Sequence, residues 1–246
     1  MMATIVNAKH DHGPASLIEP PNYCYLLLAA TVAPPNGPPL LMPNPRRRRV
    51  LSGLAGLIRG AAALNGVLRA TGYRAVLIPP ARAPRFRPDL LPPKFDVTVL
   101  IETDSAASLP DVALAPVITA MRDLLGESAS RVKEMQARCV RAIADFDKPS
   151  EGVYLFNYWA AAESATAFEV WEHLATWFQA KTGLQNSTVL QSTGDDDFAF
   201  VNHARWDARV STIAVRQFLR PTFYTFVRSN LAANELQVYP ALYRRI

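Results

Sequence analysis

The chain has 246 residues and half of them are apolar, so it can bury the core of one large domain or of two domains of ordinary size. Lys and Arg outnumber Asp and Glu by only 26 to 21, which does not make a basic protein. No apolar run approaches the ~20 residues that cross a bilayer, and the polar N-terminus argues against a secretory signal, so we expect a cytoplasmic protein with no membrane partner.

The excess positive charge is local. It is concentrated in the run Arg46–Arg49 and in Arg82, Arg85 and Arg87. A solvated loop is the simplest interpretation of the run, because no aromatic residues alternate with the arginines to stack on nucleic-acid bases. We therefore expect no nucleic-acid partner.

Cysteine and histidine give no metal signal. Cys24 and Cys139 lie far apart in apolar contexts without CxxC spacing, so both are predicted to be buried thiols. His10 and His12 have no third ligand nearby. We expect no metal and no cofactor.

The first half of the chain begins with a predicted flexible tail at residues 1–22. Two proline-rich stretches, 33–45 and 79–93, are predicted to be loops. Residues 131–146 fit either a helix or a closing strand. The remaining predicted elements, in chain order, are a strand at 23–32, a helix at about 50–70, strands at 73–77 and 95–103, and a helix at about 112–125.

The same order of elements begins again after a polar link at 147–152. Ser164 and Gly183 are the expected caps of the first helix in this half. The predicted elements are a strand at 153–159, the capped helix, strands at 186–191 and 198–206, a helix at about 211–231 bent near Pro221, and a last extended piece at 235–246.

This order predicts an α+β fold of two tandem ferredoxin-like βαββαβ units, at 23–146 and 152–246. The strands are apolar on both sides, so each sheet needs a cover. Two such sheets placed face to face form a dimeric α/β-barrel-type arrangement, whose interior can hold a small ligand. The units could pair within the chain or with another copy, and we expect a homodimer.

The predicted strand "FAFVNHARWD" (198–207) carries the main candidate site. Because side chains alternate along a strand, Phe200, Asn202 and Trp206 share one face, and His203 and Arg205 share the other. His203 would reach a cavity on the first face only if the register shifted by one residue. Arg205 could instead pair with a helix carboxylate, Glu169 or Glu172.

A second amide lies on the strand at 153–159. In a ferredoxin-like sheet the first and third strands are neighbours, so Asn157 and Asn202 could approach on one face. Amides and indoles together suit a flat, partly polar ligand, although buried Asn and Trp often serve structure alone. The predicted catalytic residues are Asn157, Asn202, His203 and Trp206, and the predicted substrate-binding residues are Trp159, Phe200, Arg205 and Tyr224.

Motifs of other enzyme classes are missing. The sequence has no Gly-rich phosphate loop, no GxSxG elbow and no HExxH pair, and Asp195–Asp197 is predicted to be a hairpin turn. Triad hydrolysis and nucleotide-dependent chemistry are therefore disfavoured.

The C-terminal half resembles the antibiotic biosynthesis monooxygenase family of dimeric α/β barrels. The resemblance covers about residues 152–246 and rests on "FAFVNHARWD", "GLQNSTVLQS" and "YPALYRRI". It implies a pocket for a small aromatic substrate, lined at Asn157, Asn202 and Trp206, and oxygenation by dioxygen without flavin or metal. The N-terminal half is similar only in element order.

The chemistry implied by this resemblance begins with a phenol or enol that loses a proton, which His203 could take if it faces inward. The carbanion then passes an electron to dioxygen, and recombination gives a peroxide that collapses to a quinone. Haem-degrading relatives use a His on the second helix, but "DARVSTIAVRQFLRP" has none. A non-redox cyclase and a non-catalytic binding or assembly protein are the alternatives.

Overall fold

The computed structural model describes residues 2–34, 44–144 and 151–246. In these ranges eight antiparallel strands close into one barrel in the order β1-β3-β2-β8-β5-β7-β6-β4. The strands are β1 (Cys24–Thr31), β2 (Val67–Leu77), β3 (Val97–Thr103), β4 (Arg131–Ala142), β5 (Val153–Ala160), β6 (Thr188–Ser192), β7 (Phe200–Trp206) and β8 (Gln237–Arg245).

Six α-helices in the described ranges surround the barrel. They are α1 (Pro45–Ala62), α2 (Leu109–Leu114), α3 (Pro116–Ser128), α4 (Ser164–Thr182), α5 (Val210–Phe218) and α6 (Ser229–Ala233), with a 3-10 turn at Ala8–His10 and a π-helical segment at Phe223–Arg228. The first three cover β1 and β3 through an aliphatic layer, and the later ones cover β5 and β7. None of the helices in the described ranges has the length and apolar character to cross a bilayer.

The prediction of two tandem ferredoxin-like units is wrong. Hydrogen-bonded ladders join the two halves of the chain, β2 to β8 and β4 to β6, so that a single eight-stranded barrel forms instead of two separate sheets. Closure leaves none of these eight strands with an unpaired edge. Element order could not predict these ladders, because pairing between sheet edges depends on tertiary structure. The halves pair within one chain, and the homodimer stays a prediction.

The arginine run is helical rather than a loop. Helix α1 begins at Pro45, since proline suits the first helical position and the Asn44 side chain accepts a hydrogen bond from the Arg47 N–H (3.1 Å). Arg47 is buried and its Nη1 lies 3.6 Å from Asp96 Oδ2. The helix ends before residue 70, and the ambiguous segment 131–146 contributes β4. Most of the predicted loop 33–45 and of the link 147–152 lies outside the described residues.

The last predicted helix is interrupted near Pro221, because proline cannot donate the helical hydrogen bond. Helix α5 ends at Phe218, and the chain resumes as the π-helical segment and α6. Gly183 caps the C-terminal end of helix α4 as predicted, with a positive φ of 78°. At its start the N-cap position is Glu163, not Ser164.

The N-terminal segment, predicted as a flexible tail, lies along the helices of the second half. The Val6 N–H donates to Asn230 Oδ1 (2.8 Å), and the Ala15 N–H donates to the carbonyl of Glu172 (3.1 Å). His173 Nδ1 lies 2.9 Å from Asp11 Oδ2. This segment therefore covers the side of α4 that faces away from the barrel axis.

The barrel interior is filled by side chains. Because alternate residues of each strand point inward, the interior receives a layer of aromatic rings. Burial raises the pKa of three of its tyrosines above the ordinary value, since an ionised phenol would lose its hydration there. The inward rings include Tyr25, Tyr73, Phe95, Tyr154, Phe156, Tyr158, Phe198, Tyr239 and Tyr243.

Candidate active site

A cavity of about 910 Å³ lies between the outer face of the barrel and the helices of the second half. Its floor is made by β5, β7 and β8, and its walls by α4, α5, the π-helical segment and α6. We expected a ligand site inside the barrel, but this cavity lies on the opposite side of the same strands. Its volume is within the range of small-molecule sites.

The two predicted amides meet on the cavity floor. Asn157 of β5 and Asn202 of β7 are register partners in adjacent strands, and both line the cavity. Asn202 Oδ1 accepts a hydrogen bond from the buried hydroxyl of Ser187. Asn157 Oδ1 is buried and has no hydrogen-bond partner among the described residues. One amide oxygen is thus bound by the protein, while the other is buried and has no partner among the described residues.

Two tryptophans flank the amides, and only one of them has a hydrogen-bond partner for its indole N–H among the described residues. The indole N–H of Trp206 donates to Thr182 Oγ1 at the end of α4 (3.1 Å), which fixes this ring as a wall. Trp159 is 3% exposed, and its N–H has no acceptor among the described residues. Its ring lies 5.1 Å from that of Phe200, in a stacked arrangement. A buried donor without an acceptor is costly in a folded protein, so a ligand acceptor would stabilise it.

The remaining walls are largely apolar, and the charged lining residues are exposed at one side. The apolar walls from α4 are Trp171, Leu174, Ala175 and Phe178. Leu77 and residues 79–86 after β2 contribute prolines and Phe86 to the rim. The exposed lining residues Arg85, Arg228 and Glu235 mark the opening. The cavity therefore has a largely apolar interior with charged residues at its exposed part.

His203 faces away from this cavity, so its predicted role as the proton acceptor has no geometric support. Its Nδ1 lies 3.0 Å from the carbonyl oxygen of Leu155, and its ring stacks on Phe156 with centroids 4.2 Å apart, inside the barrel. The register is the unshifted one, because Asn202 and Trp206 line the cavity and residues alternate.

The predicted substrate-binding residues separate into two groups. Trp159 and Tyr224 line the cavity. Phe200 supports the floor, with its ring stacked 4.9 Å from that of Phe168. Arg205 points to the other side of β7, where its guanidinium donates to Asp207 and to the carbonyl of Glu151. It pairs with neither of the helix carboxylates considered from the sequence.

Several lining residues were not predicted. Trp171 and Phe178 belong to α4, which is apolar nearly all round. This pattern could have indicated that more than one side of the helix is covered, and one of these sides borders the cavity. Phe86 lies in the proline-rich stretch, for which the sequence predicts a loop but no location. In the described residues no group of three or more His, Cys, Asp or Glu side chains is placed to bind a metal.

Solved structures with a similar fold are known. An anthrone oxidase-like protein aligns over 94% of both chains with 13% identity and a TM-score of 0.65. A "putative monooxygenase" from Fusobacterium nucleatum subsp. nucleatum aligns over 92% of this chain and 93% of its own, with 6% identity and a TM-score of 0.57. Another from Lactobacillus acidophilus NCFM has 9% identity over 90% and 94%, with a TM-score of 0.50. Identities this low show likeness of fold alone. No family model and no curated protein match the chain.

Proposed function

We propose that the protein is a cofactor-independent oxygenase of a flat aromatic or enolic small molecule, which binds in the cavity between the sheet and the helices. The observation that carries the proposal is the pair of buried polar atoms on the cavity floor, Asn157 Oδ1 and the Trp159 N–H, which have no partner among the described residues. Neighbouring folds named for anthrone oxidation and monooxygenation support it.

The two floor groups match an enol in complementary ways. The Asn157 oxygen accepts a hydrogen bond from a substrate hydroxyl, and the Trp159 N–H donates to an oxygen on which negative charge develops. The surrounding indole and phenyl rings offer flat apolar surfaces to the rest of the molecule. Exclusion of water strengthens both hydrogen bonds, because a low local dielectric increases their electrostatic energy.

The reaction is balanced by dioxygen as the only co-reactant. The substrate loses a proton, and the enolate transfers one electron to dioxygen to give a substrate radical and superoxide. These combine to form a C–O bond, and the protonated peroxide loses water, so that a CH₂ group becomes C=O. Among the described lining residues there is no histidine, and Glu235 is the one carboxylate. The proton therefore leaves to solvent at the opening.

Dioxygen uptake with anthrone as the probe tests the proposal. We expect uptake above the uncatalysed rate, with one dioxygen consumed for each quinone formed. Replacing Trp159 with Phe should lower kcat by about 10² if its N–H stabilises the enolate. The matched control is Trp177→Phe, because the Trp177 N–H donates to Thr222 Oγ1 (3.2 Å) and its ring does not line the cavity. Equal losses in both variants, or no uptake above background, would overturn the proposal.

The alternatives give different outcomes in the same assay. A non-redox cyclase would convert its substrate at the same rate under nitrogen and in air. A binding or assembly protein would bind aromatic probes without converting them. Both of these comparisons use the wild-type protein, and the uncatalysed oxidation of anthrone is subtracted.

A further inference from the structure

The entrance of the cavity is bordered by arginines. Within the described ranges the charged residues that line the cavity are Arg85, Arg228 and Glu235. A smaller recess of about 470 Å³ shares Arg228 with the cavity and adds Arg82. Two guanidinium groups and one carboxylate therefore line the exposed part of the cavity, and a third guanidinium group lines the adjoining recess, so the charge at the entrance is positive overall.

The arginines at the entrance differ from a neighbouring arginine in their ion pairing. Arg87, in the same loop as Arg82 and Arg85, pairs with Asp197 at 2.9 Å and with Asp89 at 3.4 Å. Over the described ranges, the side chains of Arg82, Arg85 and Arg228 form no ion pair. Arg228 lies over the ring of Tyr224, with its Cζ 5.8 Å from the ring centroid, a contact that leaves its N–H groups free to bind an anion.

The arginines also approach the entrance from two sides. Arg82 and Arg85 belong to the loop that follows β2, in the first half of the chain, whereas Arg228 ends the π-helical segment of the second half. A planar guanidinium binds the two oxygens of a carboxylate in a bidentate geometry. An acid group held between two such donors would have its apolar part directed inward, towards Asn157.

We infer that the substrate is an aromatic acid, whose ring system occupies the cavity and whose carboxylate is bound at the entrance by Arg85 and Arg228. This inference rests on the proposed function for its statement that the bound molecule is a substrate. Glu235, the one carboxylate among the described lining residues, opposes the binding of an anion, but the arginines outnumber it. The entrance thus selects for charge, and the interior selects for a flat apolar shape.

Calorimetric titration with two isosteric probes tests this inference. We expect the wild-type protein to bind anthracene-2-carboxylate about tenfold more tightly than 2-anthracenemethanol, in line with charge-assisted hydrogen bonds. In the double variant Arg85→Gln/Arg228→Gln this ratio should fall to about 1, because only the acid loses its charge-assisted hydrogen bonds. The matched control, Arg48→Gln/Arg49→Gln, removes the same charge from exposed positions of α1 and should keep the ratio.

The outcomes separate this inference from the proposed function. A ratio near 1 in the wild-type protein, or a ratio that survives in the double variant, overturns the inference. Preference for 2-anthryl phosphate over the carboxylate would overturn the choice of a carboxylic acid. Selective binding of the acid without oxidation of any aromatic probe would support the entrance site and count against the oxygenase. Oxidation of anthrone without preference for acids would do the reverse.

Discussion

Replacement of Asn157 by leucine should stabilise the protein and abolish binding at the same time. Asn157 Oδ1 is buried without a partner among the described residues, and an unsatisfied buried acceptor costs about 1–3 kcal/mol. Leucine is apolar and has the same number of side-chain heavy atoms, and the cavity beside it has room for methyl groups in place of the amide oxygen and nitrogen. We expect the free energy of unfolding to rise by about 1 kcal/mol, because leucine removes the desolvation cost of the oxygen.

The same substitution at Asn202 should have the opposite sign. Asn202 Oδ1 accepts the hydrogen bond of Ser187, whose side chain is buried. Asn202→Leu leaves that hydroxyl without its acceptor, so we expect a loss of about 1–3 kcal/mol. Since the two asparagines are register partners on adjacent strands, the comparison holds the residue type, the sheet and the cavity constant. The two variants should therefore differ in stability by at least about 2 kcal/mol.

Urea unfolding and thermal melts of the ligand-free protein measure this difference. For a chain of this length 1 kcal/mol corresponds to roughly 2–4 °C in Tm, so the Asn157 variant should melt at least about 4 °C above the Asn202 variant. The double variant checks coupling, because neighbouring sites are rarely additive. If both single variants lose the same stability, the Asn157 amide has a structural partner, and its assignment as a ligand-binding group is refuted.

Three further predictions concern the cavity and its frame. Ala175→Phe extends a buried α4 side chain into the cavity and should block the binding of aromatic probes at little cost in Tm. Ala167→Phe, which is buried outside the cavity, should lower Tm by several degrees. Equal losses of Tm in the two variants would mean that the cavity is not empty space. Gly66→Ala should lower the free energy of unfolding in urea by about 2 kcal/mol, because φ is +79° and a Cβ would lie 2.7 Å from that of Ser108. Gly56→Ala, in open space on α1, is the control and should be neutral or stabilising. A neutral Gly66 variant would contradict the backbone described. Burial raises the pKa of Tyr73, Tyr158 and Tyr243, so the folded state keeps protons that the unfolded chain releases above pH 10. The stability present below pH 10 should therefore be lost above it, by about 4 kcal/mol per pH unit. A urea midpoint that stays constant between pH 10 and 11 would contradict burial of the phenols.

Alternation along single strands explains what could be predicted of the floor. The period of two in "FAFVNHARWD" puts Asn202 and Trp206 on one face and His203 on the other, and the structure has this division. The neighbouring position of Asn157 follows from the predicted strand order. The roles of these residues remain predictions, because position on a face does not establish chemistry.

The side of the sheet on which the cavity lies was not predictable in the same way. Strands β5 and β7 are apolar on both faces, so hydrophobicity gives no sign of which face meets the helices and which the barrel interior. The inward face carries tyrosines and phenylalanines that pack together inside the barrel, while the helix face borders the cavity. The rim loop at 79–86 comes from the other half of the chain, which only the closed barrel brings near.

The outward face of β5 gives a reason to regard the cavity as a binding site. On the inward face Tyr154, Phe156 and Tyr158 pack in the aromatic interior, and the Tyr158 hydroxyl there has no partner among the described residues and does not border the cavity. On the outward face of the same strand, Asn157 and Trp159 keep a buried acceptor and a buried donor without partners among the described residues. Stability alone would favour apolar groups at both outward positions. A buried amide and indole that the fold leaves unpaired, beside a cavity of ligand size, are best explained by a molecule that pairs with them.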